Sequence, residues 1–186
     1  TLGRVPTLPK AKETFSRMAV EGPMARTVED CAAMLRIMAG ADSRDPRSLD
    51  FGALPSTPAL TDIPKNLRLG WAPNPAGLPI EPSVLSVLSG AVTAMQNLYP
   101  TIDEIDLCEL NGAMGVFTVL RAAAFAEGLG DLYRSDHDKM KATVLDNIKL
   151  GLELTGDVLT QAESQRTRFQ KALISLFDRF DYLLLP

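Results

Sequence analysis

The feature that most constrains the fold is a strand–helix–strand succession in the middle of the chain. Leu67–Trp71 alternates apolar and polar side chains, as short strands do. Pro82 suits the first turn of a helix, and an amphipathic pattern then runs to about Tyr99. Ile102–Leu107 alternates again. A strand, a helix and a strand in this order indicate an α/β fold with a parallel or mixed sheet.

The stretch Gly22–Asp42 carries start and stop signals for another helix, predicted over roughly residues 27–40. Thr27 is placed to cap the first free N–H groups, and Asp30 stands where a capping box has its acidic partner. Gly40 follows as a stop signal. Apolar residues at helical spacing predict a buried stripe formed by Val28, Cys31, Ala32, Leu35, Met38 and Ala39.

The second half of the chain has mainly helical patterns. A helix predicted from Leu110 to about Tyr133 is apolar on more than one face, so we expect it to be deeply buried or to line a pocket. Two more helices are predicted, over residues 139–154 and from there to about Arg179. The last residues, 181–186, return as a strand. The segment 41–65, rich in Pro, Asp and Ser, predicts a long surface loop.

Composition bounds the class of protein. The chain has 186 residues, 46% hydrophobic and 23% charged, which fits one globular domain or a large part of one. Its net charge of -4 does not favour nucleic acid or an anionic membrane as a partner, and no apolar run is expected to span a membrane. Cys31 and Cys108 lie far apart among apolar residues, so we expect two reduced cysteines in a cytoplasmic protein. With one histidine, His137, no metal site is expected.

Both ends of the sequence look cut. The chain begins at Thr1 without an initiator Met, and it ends on an apolar strand whose backbone needs neighbours. We therefore expect an internal piece of a longer protein. A piece of this kind exposes apolar surface, and we expect it to form a homodimer or to rearrange.

Few residues offer catalytic chemistry. The sequence has no Gly-x-Ser-x-Gly elbow and no Gly-rich phosphate loop, and the serines Ser83, Ser86 and Ser89 have no implied base. Phe117, Arg121 and Phe125 share one face of the apolar helix and could line an apolar pocket. Plain core packing is the commoner use of such a face.

Three segments together resemble the amidase signature family, in order and in spacing. They are Gly3-Arg4-Val5-Pro6, then Gly22-Pro23-Met24-Ala25-Arg26-Thr27-Val28-Glu29-Asp30, then Gly40-x-Asp42-x-Arg44-Asp45-Pro46-x-Ser48. The closing Phe180-Asp181-Tyr182-Leu183-Leu184-Leu185-Pro186 is similar to the segment that leads into the family's Pro-Thr-x-Pro turn. The resemblance is loose from about residue 109 to 160.

The resemblance implies an α/β fold in which helices cover a mixed β-sheet, and a serine hydrolase acting on carbon–nitrogen bonds through an acyl-enzyme. The family's two serines and its lysine precede the Gly-Arg-Val-Pro segment, so the resemblance places all three upstream of Thr1 and leaves no catalytic residue here. Residues 1–186 would form one incomplete domain. The helical region 109–160 would face the substrate, with Phe117, Arg121 and Phe125 as substrate-binding residues. The implied partner is a small-molecule amide, and no cofactor is expected.

Two alternatives stay open. One is the A subunit of a tRNA-dependent amidotransferase, a member of the same family. That subunit usually has Ser-Leu-Asp-Gln before Gly-Pro, whereas Arg17–Glu21 reads Arg-Met-Ala-Val-Glu, which favours a free-standing amidase. The other is a non-catalytic α/β module for binding or structure. An upstream Ser/Gly-rich signature in the same reading frame would favour the enzyme over the module.

Overall fold

The computed structural model describes residues 2–7, 19–50, 52 and 64–186. The chain divides into two compact units. The first unit comprises Thr1–Ile63 with Arg121–Leu154, and the second comprises Pro64–Leu120 with Thr155–Pro186. The single incomplete domain expected from the sequence stays a prediction.

The described residues form five α-helices and three β-strands, which agree with the predicted order. The helices are α1 (Val28–Met38), α2 (Pro82–Met95), α3 (Ala113–Asp136), α4 (Ala142–Glu153) and α5 (Gly156–Phe177), and the strands are β1 (Leu69–Trp71), β2 (Ile102–Glu104) and β3 (Tyr182–Leu184). The predicted helix-rich α/β class is confirmed. The described part of the segment 41–65 has no helix or strand, as predicted; residues 51 and 53–63 lie outside the described residues.

The three strands form one parallel sheet in the order β2-β1-β3. Leu69 in the central strand β1 is in register with Ile102 on one side and Tyr182 on the other. All three residues of β1 are buried. Gly70 is crowded: a Cβ built there would lie 2.9 Å from the Cδ1 atom of Ile105, so a larger residue would have to displace that side chain.

An ion pair joins the residues that precede β1 and β3. The Arg68 guanidinium donates to both carboxylate oxygens of Asp181, at 2.7 and 3.3 Å, and to the carbonyl oxygen of Asp178 at 2.8 Å. The backbone N–H of Arg68 donates to the same carboxylate. These hydrogen bonds lower the pKa of the Asp181 carboxyl from 3.8 to about 2. They fix where β3 enters the sheet beside β1.

The core of the second unit lies between the first turns of α3 and the helix α5. Val116 and Leu120 from α3 pack with Ala162 from α5, and all three are buried. Val119 and Phe169 pack against them. The prediction of deep burial is wrong for this part of α3: only the face with Val116 and Leu120 is buried, and Met114 and Phe117 are exposed.

In the first unit, the later turns of α3 approach α4 closely. Ala122 and Ile148 are fully buried. A Cβ built on Gly151 would overlap the carbonyl oxygen of Ala122 and would lie 2.7 Å from the side chain of Ala126. Small residues therefore set the distance between these two helices.

Helix α1 begins at its predicted cap but is less buried than predicted. The backbone N–H of Asp30 donates to Oγ1 of Thr27 at 3.1 Å, which confirms the cap. No residue of α1 is buried, however, and Val28 is 67% exposed. The predicted stripe is at most half-buried, and the prediction is wrong for Val28. Caps and spacing specify a helix, but burial depends on the elements that cover it.

By length and composition, the prediction that no apolar run could span a membrane is wrong for one stretch. Cys108–Lys139 is long and apolar enough to cross a membrane by length and composition, with a mean hydropathy of 1.3 in its most apolar window. Core helices of soluble proteins share these properties but are mostly buried, whereas 17% of this window is buried. In the sequence, Arg121 and Glu127 interrupt this apolar run. A charge at the centre of a membrane helix costs about 3 kcal/mol, which disfavours that use of α3.

Candidate functional site

The three candidate substrate-binding residues lie one turn apart on α3. Successive steps of four residues place Phe117, Arg121 and Phe125 along one face of the helix, as predicted. Phe117 belongs to the second unit and is 40% exposed. Arg121 and Phe125 belong to the first unit, and both are half-buried.

Arg121 and Phe125 form a cation–π pair. The guanidinium carbon of Arg121 lies 5.3 Å from the centre of the Phe125 ring. This distance is within the range at which the face of an aromatic ring attracts a cation. The pair therefore holds a guanidinium against an aromatic ring on this face of α3.

The first and third segments of the family motif meet in one loop of the first unit. The backbone N–H of Gly40 donates to the carbonyl oxygen of Arg4 at 3.1 Å, and that of Leu49 donates to the carbonyl oxygen of Gly3 at 2.9 Å. Gly3 has a φ of 78°, and a Cβ there would overlap the carbonyl oxygen of Arg47. Only glycine fits this contact.

Asp45 is the buried carboxylate of this loop, with 3% of its surface exposed. It accepts hydrogen bonds from the backbone N–H groups of Thr7 at 2.8 Å and Arg47 at 3.1 Å. These bonds connect the chain after Gly-Arg-Val-Pro to the turn at Asp-Pro. Buried carboxylates need such donors, so Asp45 holds the loop in place.

Ser48 and Asp42 complete the same network. The Ser48 hydroxyl accepts from the backbone N–H of Asp42 at 2.8 Å, and it lies 2.8 Å from the carbonyl oxygen of Asp45, to which it can donate. Arg44 donates to the Asp42 carboxylate from its side chain and its backbone and lowers the pKa of Asp42 from 3.8 to about 2. The side chains of Asp42, Asp45 and Ser48 therefore stabilise the loop through hydrogen bonds. In the sequence they stand out only as family markers, although Asp and Ser three residues apart around a Pro are a turn signal.

Other candidate groups do not assemble into a centre in the described part of the chain. The Ser83 hydroxyl donates to the neighbouring Glu81 carboxylate at 2.6 Å. His137 is exposed, and its Nε2 lies 3.1 Å from the carboxylate of Asp138. Among the described residues there is no group of three or more His, Cys, Asp or Glu side chains that could hold a metal ion.

The described residues, with five α-helices, a three-stranded parallel sheet and the motif loop, belong to a helix-rich α/β protein. The sequence profile of the amidase family matches residues 1–186, and the chain belongs to that family. An amidase from Pseudomonas putida is 31% identical over 89% of this chain and 35% of the relative. An acylamidase from Rhodococcus erythropolis is 27% identical over 92% of this chain and 36% of the relative.

Solved structures show the same fold. A bacterial aryl acylamidase of the amidase signature family superposes with a TM-score of 0.82 and 21% identity, over 99% of this chain and 40% of that chain. The 6-aminohexanoate cyclic dimer hydrolase superposes with a TM-score of 0.66 and 20% identity, over 86% of this chain and 35% of that chain. The predicted family and fold are thus confirmed. The chain spans about a third of the length of the amidases it matches.

Proposed function

We propose that this chain is part of an amidase that hydrolyses carbon–nitrogen bonds of small-molecule amides through a serine acyl-enzyme. The observation that carries the proposal is the family match over the whole chain. The motif loop supports it, because two residues of the matching segments hold that loop together. Gly3 allows the close approach to Arg47, and the Asp45 carboxylate accepts the backbone N–H of Thr7. Hydrolysis of a simple aryl amide by the full-length protein, abolished by a serine-directed fluorophosphonate, is the result we expect. An amide left intact by the full-length protein would contradict it.

In this proposal the chain supplies the scaffold and one wall of the substrate pocket. The two serines and the lysine of the family would come from a part of the protein that precedes Thr1. The chain on its own is therefore expected to be inactive.

Phe117, Arg121 and Phe125 are proposed to bind substrate. The support is their common face on α3 and the Arg121–Phe125 pair, which places a cation and an aromatic ring side by side. A substrate with an aryl or branched acyl group would place its apolar part on the rings.

The proposed role of Phe117 can be tested in the full-length enzyme. Phe117→Ala removes a side chain that is 40% exposed, so the fold should tolerate it. We expect kcat/KM to fall about tenfold for amides with a bulky acyl or aryl group and to change little for acetamide, since a lost apolar contact is worth about 1–3 kcal/mol.

Glu127→Ala is the matched control, because Glu127 is exposed on a different side of the same helix. It should leave the ranking of the amides unchanged. An unchanged ranking with Phe117→Ala as well would remove Phe117 from the pocket.

The A subunit of an amidotransferase is the second candidate within the family. The A subunit of the glutamyl-tRNA(Gln) amidotransferase from Methylococcus capsulatus is 33% identical, but over only 58% of this chain. The two amidases match about nine tenths of it, which favours the amidase. We propose a cytoplasmic enzyme that needs neither nucleic acid nor a membrane, which agrees with the net charge of -4.

A further inference from the structure

The two outer strands of the parallel sheet differ in the charge and burial of their side chains. Among the described residues, β2 and β3 each pair only with β1. β2 carries Asp103 and Glu104, one on each face of the strand, and both are exposed. β3 carries no charge, and its residues Leu183 and Leu184 are half-buried. Charged side chains are typical of a strand at the edge of a sheet, whereas an apolar run is typical of a strand inside a parallel sheet.

The hydrogen bonds of β3 show which of its backbone groups face away from β1. The N–H of Tyr182 donates to the carbonyl oxygen of Arg68 at 3.4 Å. The carbonyl oxygen of Leu184 accepts from the N–H of Ala72 at 3.0 Å. In a parallel sheet, alternate residues of a strand bond to the same neighbouring strand. The N–H and carbonyl groups of Leu183 therefore point to the outer edge of β3.

At β2 the outward backbone groups belong to Glu104. The N–H of Ile105 donates to the carbonyl oxygen of Trp71 at 2.8 Å, so the residue before Ile105 faces away from β1. Glu104 is exposed, so its N–H and carbonyl groups can bond to water. Leu183 is half-buried, and a peptide group shielded from water needs a protein partner. The outer edge of β3 is therefore the one that calls for another strand.

The size of this edge indicates that the missing strand belongs to the same polypeptide. β3 has three residues, which offer far less than the roughly 800 Å² that each partner buries in a stable interface between separate molecules. Within one polypeptide, the covalent connection keeps a pairing strand at a high effective concentration. This chain covers 40% of the aryl acylamidase whose fold it shares. We propose that a strand from outside residues 1–186 of the full-length protein pairs with β3, and that β2 is an edge of the complete sheet.

Hydrogen–deuterium exchange of the full-length protein tests the pairing. Mass spectrometry with electron-transfer fragmentation compares the amides of Leu183 and Glu104, each relative to its intrinsic exchange rate. We expect the Leu183 amide to exchange at least about 100-fold more slowly, because a hydrogen bond inside the sheet protects it. This protection should not change on dilution, since the partner strand is in the same polypeptide.

Three results would overturn the proposal. The first is exchange at similar rates at Leu183 and Glu104. The second is slow exchange at both, which would place β2 inside the sheet. The third is protection of Leu183 that disappears on dilution, which would assign the partner strand to a second copy. The pairing depends on the chain being part of a longer protein, as the proposed function states, but not on amide hydrolysis. A slow Leu183 amide in an inactive protein would therefore contradict the proposed function and support the pairing.

Proline substitutions in the full-length protein provide an independent measurement. Proline removes a backbone N–H, which destabilises a strand inside a sheet but is tolerated where the N–H faces water at an edge. Leu183→Pro should lower the unfolding temperature at least about 5 °C more than Leu183→Ala, which accounts for the lost side chain. Glu104→Pro is the matched control and should differ little from Glu104→Ala. Equal effects of proline at the two positions would also overturn the proposal.

Discussion

Gly3 and Asp45 show how single residues give the motif loop its shape. A Cβ at position 3 would overlap the carbonyl oxygen of Arg47, and the Asp45 carboxylate accepts two backbone hydrogen bonds while buried. Both belong to segments that resemble the family in sequence. The pattern in the sequence identifies these segments, but it does not show that they meet, because the Thr7–Asp45 hydrogen bond spans 38 residues of chain.

Gly151 offers a prediction at the same scale. Gly151→Ala places a methyl group on the carbonyl oxygen of Ala122, so α3 and α4 must move apart. We expect a loss of about 1–3 kcal/mol in the free energy of unfolding. Urea denaturation followed by circular dichroism measures it.

Gly128→Ala is the comparison, because a Cβ there has no atom within 4 Å and the residue is exposed on a helix. It should stabilise the protein by about 0.5–1 kcal/mol, as alanine does in place of a helical glycine. Equal effects from the two substitutions would contradict the close packing of α3 on α4.

At the scale of helices and strands, local signals were reliable predictors. Thr27 and Pro82 mark helix starts that the structure confirms, and the three short strands lie within their predicted segments. What the sequence could not specify is which face of an apolar helix is covered. In helix α2, for example, periodicity places Val84 and Leu88 on the same apolar face, but Leu88 is half-buried whereas Val84 is exposed.

The ion pair that positions β3 predicts a pH dependence. The folded pKa of Asp181 is about 2, below its ordinary value of 3.8. The unfolded chain therefore binds the proton more readily, and the stability that Asp181 contributes is present above about pH 4 and is lost as the pH falls towards 2. Asp181→Asn should lower the free energy of unfolding at about pH 6, and the difference from wild type should shrink below about pH 4.

A second substitution separates the ion pair from other effects. In an Arg68→Met background, Asp181→Asn should change stability much less and without this pH dependence, because the partner that lowers the pKa is gone. The same pH-dependent loss in both backgrounds would show that Arg68 is not the cause. Thermal unfolding from about pH 2 to about pH 6 provides the data.

At the scale of the whole molecule, the chain corresponds to about a third of the amidases that it matches. The family could be predicted from the sequence, because three spaced motifs carry it. The pocket could not be predicted in the same way. Spacing places Phe117, Arg121 and Phe125 on one helix face, but the periodicity of one helix does not show which other groups these residues contact. The proposal accordingly assigns the chemistry to residues that precede Thr1.

Mapping the site of fluorophosphonate labelling tests this assignment most directly. The full-length protein is labelled, digested and analysed by peptide mass spectrometry, and the 186-residue chain is treated in parallel. We expect one modified serine in the full-length protein, located before Thr1, and no labelling of the 186-residue chain. A modified serine within residues 1–186, in either protein, would contradict the account.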